Sequence, residues 1–308
     1  MNINFNHKPV LYHEALTALN INPSKTYWDG TLGGGGHSEG IVKLLSQGKL
    51  IANDLDNDAL EVAKERLLLY KDKIEFIKGD YKNLAETAIK FGKPSGILID
   101  MGVSSYQIDN PERGFCYSRC GDLDMRMSRD SDLSAYEVIN SYSERELGDI
   151  FFKFGEERYS RRIAQKICEL RKKSPIKTTF ELSDICKQAY PARHNEGHPA
   201  KRVFQSVRIE VNSELTGLYE AVLKLARTLE VGGRLAIITF HSLEDRIVKN
   251  AFRELEASCV CPKEFPICNC GKKSEVKILS KKPITATKEE LRDNKRAESA
   301  KMRVAEKI

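Results

Sequence analysis

The 308-residue chain has no apolar run approaching the roughly 18 residues that a membrane-spanning helix needs. Its opening, Met1-Asn2-Ile3-Asn4-Phe5-Asn6-His7-Lys8-Pro9, has no apolar core of the signal-peptide kind. Without a secretory signal, structural disulfides are not expected among its eight cysteines. Internal repeats and low-complexity tracts are also missing, which sets aside repeat arrays and disordered linkers. A strict G-x-G-x-x-G fingerprint is lacking too: counted from Gly33 its last place is Ser38, and counted from Gly34 it is Glu39. That argues against a dinucleotide cofactor. What remains, with 41% hydrophobic and 31% charged residues, is a soluble globular chain, expected in the cytoplasm, with no membrane partner. Its length suits one large domain and a smaller one.

The net charge of +6 is unevenly placed. Residues 271–308 hold 12 Lys+Arg against 6 Asp+Glu, which leaves the remainder neutral at 38 against 38. A second basic run, 158–173, carries seven basic residues and one acid, Glu169. Such clusters fit either a polyanion contact or a solvated helix face. Four cysteines, Cys259, Cys261, Cys268 and Cys270, lie together as two C-x-C pairs near Pro262, Pro266 and Gly271. They offer four thiolates to a tetrahedral zinc, although the usual knuckle is C-x-x-C; the other reading is reduced thiols in a loop.

The chain is organised around Trp28-Asp29-Gly30-Thr31-Leu32-Gly33-Gly34-Gly35-Gly36-His37-Ser38. Consecutive glycines allow positive φ and close approach to a ligand. Ser38 reads as the N-cap of the helix that follows, whose N–H groups suit a polar or anionic ligand. The next strand, Leu50-Ile51-Ala52-Asn53-Asp54, ends on an acid 20 residues after Gly34, the spacing at which a Rossmann-like fold sets a carboxylate on a ribose. Further strands are expected at 26–28, 73–77, 96–100 and 234–240, with helices at 9–19 and 58–70 between them. Asp29, Asp54, Tyr81 and Asp100 then lie at or just past the carboxyl ends of a parallel sheet, where one cleft can collect them.

From 109 to 204 no strand-like run appears, only helical candidates at 134–140, 143–154, 159–173 and 180–190, with a capping box from Ser143 to Glu146. This predicts a discontinuous domain, 1–108 with 205–308, holding an inserted helical domain at 109–204. A long helix over 207–229 leads back to the sheet.

A glycine loop, an acid after the second strand and an acid ending the fourth fit S-adenosylmethionine, which has an amino-acid end and a ribose but no pyrophosphate. Asp54 would accept both ribose hydroxyls and Tyr81 would cover the adenine. Asp100 is suited to hold the cofactor amine, or to accept a hydrogen bond from an attacking exocyclic amine whose lone pair is conjugated into its ring. The alternative for Asp100 is a turn former.

The chain resembles the bacterial small-subunit ribosomal RNA cytosine-N4 methyltransferases of the RsmH/MraW type, nearly end to end. The likeness is carried by His7-Lys8-Pro9-Val10-Leu11, by Asp29-Gly30-Thr31-Leu32-Gly33-Gly34-Gly35-Gly36-His37-Ser38 and by Asp100-Met101-Gly102-Val103-Ser104-Ser105-Tyr106-Gln107. It continues through Leu123-Asp124-Met125-Arg126-Met127, His198-Pro199-Ala200-Lys201-Arg202-Val203-Phe204-Gln205-Ser206-Val207-Arg208-Ile209-Glu210-Val211-Asn212 and Phe240-His241-Ser242-Leu243-Glu244-Asp245-Arg246-Ile247-Val248-Lys249, and ends in a basic tail at 294–306. The resemblance implies a class I, Rossmann-like α/β methyltransferase with a mostly parallel sheet and an inserted helical domain for RNA recognition. It implies transfer of a methyl group from S-adenosyl-L-methionine to N4 of a cytidine in the decoding centre of 16S rRNA, with the small ribosomal subunit as partner. By the same resemblance Gly35, Gly36, His37, Asp54, Tyr81, Asp100 and Gln107 line the cofactor site.

On the substrate side Arg126, Lys201, Arg202 and Arg208 are candidates for phosphate contacts, or else for ion pairs inside the fold. His241 is a candidate contact to a flipped cytidine, or else a structural histidine. The segment Asn294-Lys295-Arg296-Ala297-Glu298-Ser299 departs from the family's tail, which commonly has a proline and a second arginine. The cysteine cluster sits where the family varies, so the resemblance lends zinc no support. A homodimer is left open.

Overall fold

Short apolar runs closed by acids become the parallel strands of one sheet in the computed structural model, which describes residues 9–191, 197–262 and 269–308. The strands are β1 (Tyr27–Asp29), β2 (Leu50–Asp54), β3 (Ile74–Lys78), β4 (Gly96–Asp100), β5 (Arg234–Thr239), β6 (Val276–Ile278) and β7 (Lys301–Lys307). Their order is β3-β2-β1-β4-β5-β7-β6. The first five run parallel, and β7 pairs antiparallel with both β5 and β6. The order reverses between β1 and β4, the switch point at which open α/β sheets bind ligands. This is the class I methyltransferase fold.

Burial explains the strand sequences. Ile97, Leu98 and Ile99 are fully buried, as are Leu235 to Ile238, because helices cover both faces of the central strands. Each such side chain contributes about 1.5–3 kcal/mol by leaving water. β7 was not expected as a strand. Met302, Val304 and Ala305 are buried in it, and Arg303 is 7% exposed and fork-paired with Asp245 at 2.6 and 3.0 Å. Part of the basic tail is therefore committed inside the sheet rather than presented to a polyanion.

The chain divides into two compact units: one runs to Gly102 and resumes at Thr216, the other is Val103–Leu215. The boundaries fall at 102/103 and 215/216 rather than at 108/109 and 204/205, since residue 204 lies inside the helix Ala200–Val211. The long helix expected at 207–229 is broken: Ala200–Val211 stops at Asn212, the chain turns through Ser213 (φ +48°) and Gly217 (φ +70°), and Leu218–Thr228 begins afresh.

The helical unit has its own core, with Val138, Ile139, Leu147, Phe151, Ile163, Ile167, Leu182, Val203 and Val207 packed together. Capping boxes begin its helices at Ser104/Gln107, Ser134/Glu137, Ser143/Glu146 and Thr178/Glu181. Each satisfies backbone N–H groups that a helix start leaves unpaired. Helices Glu144–Gly155 and Ala200–Val211 approach so closely that a Cβ on Gly155 would meet the Arg202 carbonyl at 2.6 Å.

Candidate active site

Asp29 ends β1 and is 1% exposed. Burial pushes its carboxyl pKa up, opposed first by the Ser38 hydroxyl, which donates to Oδ2 at 2.6 Å. The Thr31 N–H donates to Oδ1 at 3.2 Å. Ser38 is therefore not the N-cap that the sequence suggested. Gly35, at φ +76°, caps the helix Gly36–Leu44, and Ser38 lies in its first turn with its hydroxyl spent on Asp29. Gly36 has a packing reason to be glycine, because a Cβ there would stand 2.4 Å from Pro9 Cγ.

The glycine loop is tied to its neighbouring strands: Gly30 N–H donates to the Leu98 carbonyl and Leu32 N–H to the Asn53 carbonyl, both at 2.9 Å. Gly33 N–H donates to Asp54 Oδ2 at 2.7 Å, and Asp56 N–H to Asp54 Oδ1 at 2.8 Å. Desolvation raises the Asp54 carboxyl pKa to about 6, and these two backbone donors only partly oppose it. Asn53 points its amide to the carbonyls of Gly30 and Gly79 at 3.0 and 2.9 Å, joining the loops after β1 and β3. Tyr81 follows in the short 3-10 turn Tyr81–Asn83, and its Cβ would be 3.2 Å from a Cβ placed on Gly30.

Asp100 ends β4, its N–H donating to Thr31 Oγ1 at 2.6 Å. Its Oδ2 lies 3.5 Å from Nε2 of His37, which is 6% exposed and stacked on Tyr12. Both His37 ring nitrogens and Asp100 Oδ1 are buried without a hydrogen-bond partner in the protein. Buried polar atoms are rarely left so, and a cluster of them marks a place where another molecule completes the bonding. One edge of the sheet thus presents a carboxylate suited to a diol at Asp54, an aromatic ring at Tyr81 and an unsatisfied acid–imidazole pair. These residues fit the ribose, the adenine and the amino-acid end of S-adenosylmethionine.

The model of the MraW methylase family matches residues 4–308. The chain belongs to that family. Two curated relatives of this methylase are each named ribosomal RNA small subunit methyltransferase H. That of Fusobacterium nucleatum is 52% identical over 98% of this chain and 97% of its own. That of Finegoldia magna is 49% identical over 99% of both chains.

Within the methylase's helical unit the sequence candidates separate. Gln107 is buried; its Oε1 accepts the Ser104 N–H at 2.9 Å and its Nε2 donates to the Met127 carbonyl at 3.3 Å. The Oε1 bond closes the helix start, and the Nε2 bond ties that start to the chain at Met127. Arg126 places four of its five N–H groups on Asp124 and the carbonyls of Arg129 and Ser131, at 2.8–3.1 Å. Arg208 forms a two-pronged pair with Glu214 at 2.8 and 2.9 Å, with both side chains largely buried. Those two guanidinium groups are held by partners inside the helical unit, as ion pairs within the fold would be. Arg202 gives one N–H to the Glu156 carbonyl at 2.9 Å, while Lys201 is exposed at the start of its helix.

In the sheet unit His241 is the N-cap of the helix Ser242–Glu256. Its Nδ1 accepts the Glu244 N–H at 3.4 Å, and the Glu244 carboxylate accepts the N–H groups of Phe240 and His241 at 2.9 and 3.3 Å. That bonding makes His241 a helix cap through Nδ1, while its Nε2 is buried without a hydrogen-bond partner in the protein. Cys259, Cys261 and Cys270 gather in one loop, whereas Cys268 lies outside the described residues, as does the His7-Lys8 part of the first motif. Sequence reasoning did not assign Ser38, Thr31 and Asn53 to the site as supports. Their signal was membership in, or register with, the glycine stretch.

Proposed function

We propose that this methylase transfers a methyl group from S-adenosylmethionine to N4 of a cytidine in the decoding centre of 16S ribosomal RNA. The observation that carries the reading is the His37–Asp100 pair, with its buried unsatisfied atoms, at the sheet's switch point. The named small-subunit relatives, similar over nearly their whole length, support the class of RNA. When bound, the cofactor supplies an electrophilic methyl group on a sulfonium.

The protein's part is positioning and proton management. Asp54 accepts the ribose hydroxyls through lone pairs that its two backbone donors leave over. The loop around Gly35 and the imidazole of His37 hold the amino-acid end. The cytidine leaves its stack to enter the site, as bases do when chemistry is performed on them. The Asp100 carboxylate accepts a hydrogen bond from the exocyclic amine and turns its lone pair out of conjugation. As the N–C bond forms and the methyl group's bond to sulfur breaks, its electron pair leaving the sulfur as a neutral thioether, one N–H proton would depart through that carboxylate to solvent. Phosphate contacts come from accessible cations of the helical unit: Lys201, Arg202 and, among the exposed members of the basic run, Arg162, Lys172 and Lys173. With the ribosome as substrate, the cytoplasm is the place of work.

Small subunits incubated with the chain and labelled cofactor, then digested and mapped by nucleoside mass spectrometry, should carry the label in N4-methylcytidine. Label in another nucleoside, or none, overturns the proposal.

A further inference from the structure

Between Glu256, where the helix Ser242–Glu256 ends, and Val276, where β6 begins, the chain makes an excursion in which none of the described residues is buried; Val260 within it is 63% exposed. The excursion is closed at its base: Glu275 N–H donates to the Leu255 carbonyl at 2.7 Å, and Ser274 Oγ to the Glu256 carbonyl at 2.7 Å. Ile278 N–H donates to Glu256 Oε1 at 2.8 Å. Beyond that closure apolar burial holds little among the described residues. Loops this long either have a staple of their own or pay for their order in entropy.

The staple is indicated by sulfur. The Sγ atoms of Cys259, Cys261 and Cys270 all lie within 4.8 Å of one another, brought in from both arms of the excursion. Cys259 and Cys270 are 3.9 Å apart, far beyond the about 2.05 Å of a disulfide. Tetrahedral zinc with bonds of about 2.3 Å to sulfur sets neighbouring sulfurs about 3.8 Å apart. Backbone groups already turn toward these sulfurs: Cys261 N–H donates to Cys259 Sγ at 3.3 Å, and Val260 N–H to Cys270 Sγ at 3.5 Å. Such donors favour the thiolate over the thiol and orient it, as the outer shell of a metal site does. Gly271, at φ +62°, makes the turn just after the last of them.

We propose that Cys259, Cys261 and Cys270 form a structural zinc site that pins the two arms of this excursion together. Soft thiolates select zinc, copper(I) or iron–sulfur clusters. A cluster spreads its cysteines over several irons and spaces them wider than one ion does, so the close trio favours a single ion. The three thiolates leave one tetrahedral corner for a further donor. None of the three is among the residues assigned to cofactor or substrate, so the metal is assigned to ordering the loop rather than to methyl transfer.

The full chain, produced with zinc in the medium and purified under reductant, is expected to retain about one zinc per chain by elemental mass spectrometry. Cys259→Ser and Cys270→Ser should each lose it with the circular dichroism of the chain unchanged, whereas Cys116→Ser and Cys120→Ser should keep it. Cobalt(II) titrated into the metal-stripped, unmutated chain should give the charge-transfer absorption of thiolate ligands, a readout that needs no variant to fold. Chain purified without zinc and unable to take up cobalt with that absorption would overturn the proposal. So would zinc retained by the triple Cys259→Ser/Cys261→Ser/Cys270→Ser variant.

Discussion

Two acid–histidine pairs lie at the carboxyl edge of the same sheet, and they differ in what their acids bond. After β5, Glu244 is 2% exposed and its carboxylate takes two backbone N–H groups, so the pair closes a helix start. After β4, Asp100 uses its own N–H on Thr31 but leaves Oδ1 unbonded, and the facing His37 has both nitrogens unbonded. Composition alone makes the pairs look equivalent. Hydrogen-bond accounting separates them in degree: the His241–Glu244 pair leaves Nε2 of His241 buried without a partner, the His37–Asp100 pair leaves Oδ1 and both ring nitrogens, and each such atom costs about 1–3 kcal/mol unless a ligand satisfies it. The helical unit repeats the contrast among cations: Arg126 and Arg208 are held by internal partners, and Lys201 is exposed.

The sharpest test of this contrast is at Asp54, whose carboxylate is assigned two ribose hydroxyls. Asp54→Ala should lower cofactor affinity by at least about 10²-fold in calorimetry, since charged hydrogen bonds contribute about 1.5–3 kcal/mol each. Unchanged affinity would remove Asp54 from the site. Asp100→Asn should lower the single-turnover methylation rate by about 10²-fold while leaving small-subunit binding within about twofold. Loss of RNA binding with the rate preserved would make Asp100 structural, as Glu244 is.

Protonation probes the same acid more gently. With the Asp54 pKa raised to about 6, cofactor affinity should fall about tenfold per pH unit below 6, as the carboxylate loses an acceptor. For folding the sign is opposite. The group's folded pKa lies above its ordinary value of 3.8, so the ligand-free fold takes up a proton first and gains stability as pH falls from about 6 toward 4. Melting temperatures of wild type minus Asp54→Asn, with and without cofactor, should show the two trends diverging.

Smaller effects separate the cations and the second histidine. Arg208→Ala, which strands a largely buried Glu214, should cost about 3 kcal/mol of unfolding free energy in denaturant titration. Lys201→Ala should leave stability unchanged and reduce the salt dependence of RNA binding by about one counterion. His241→Ala should cost about 1 kcal/mol as a lost cap, with the methylation rate per folded molecule unaltered. A rate loss beyond about tenfold would return His241 to the reaction.

The strands that bury both faces were legible because such strands are continuous apolar runs, and the acids closing three of them located the site edge. β7 was not: four of its seven residues, Lys301, Arg303, Glu306 and Lys307, are charged, and the local composition reads as a tail. Its burial depends on β5 and on Asp245, far away in sequence. The break at 212–217 was hidden because Ser213 carries no signal for a left-handed conformation. Asp54 was legible by spacing from the glycines. Ser38 was misread because N-cap statistics do not know that a buried aspartate nine residues earlier claims the hydroxyl. The cations were ambiguous for the same reason: an arginine's partner is chosen by the fold, not by its neighbours in sequence.

The insertion of the helical unit between β4 and β5 has a consequence for the order in which the molecule comes into being. Gly96 pairs with Arg234 across the entire intervening unit, so the central seam of the sheet closes only after all of that unit has been synthesised. Helical contacts are short in sequence and form quickly, whereas this seam has a long loop to close. On a growing chain the helical unit can fold while β1 to β4 still wait for β5, and the last neighbour of Asp100 to arrive is the strand that completes the floor beneath it.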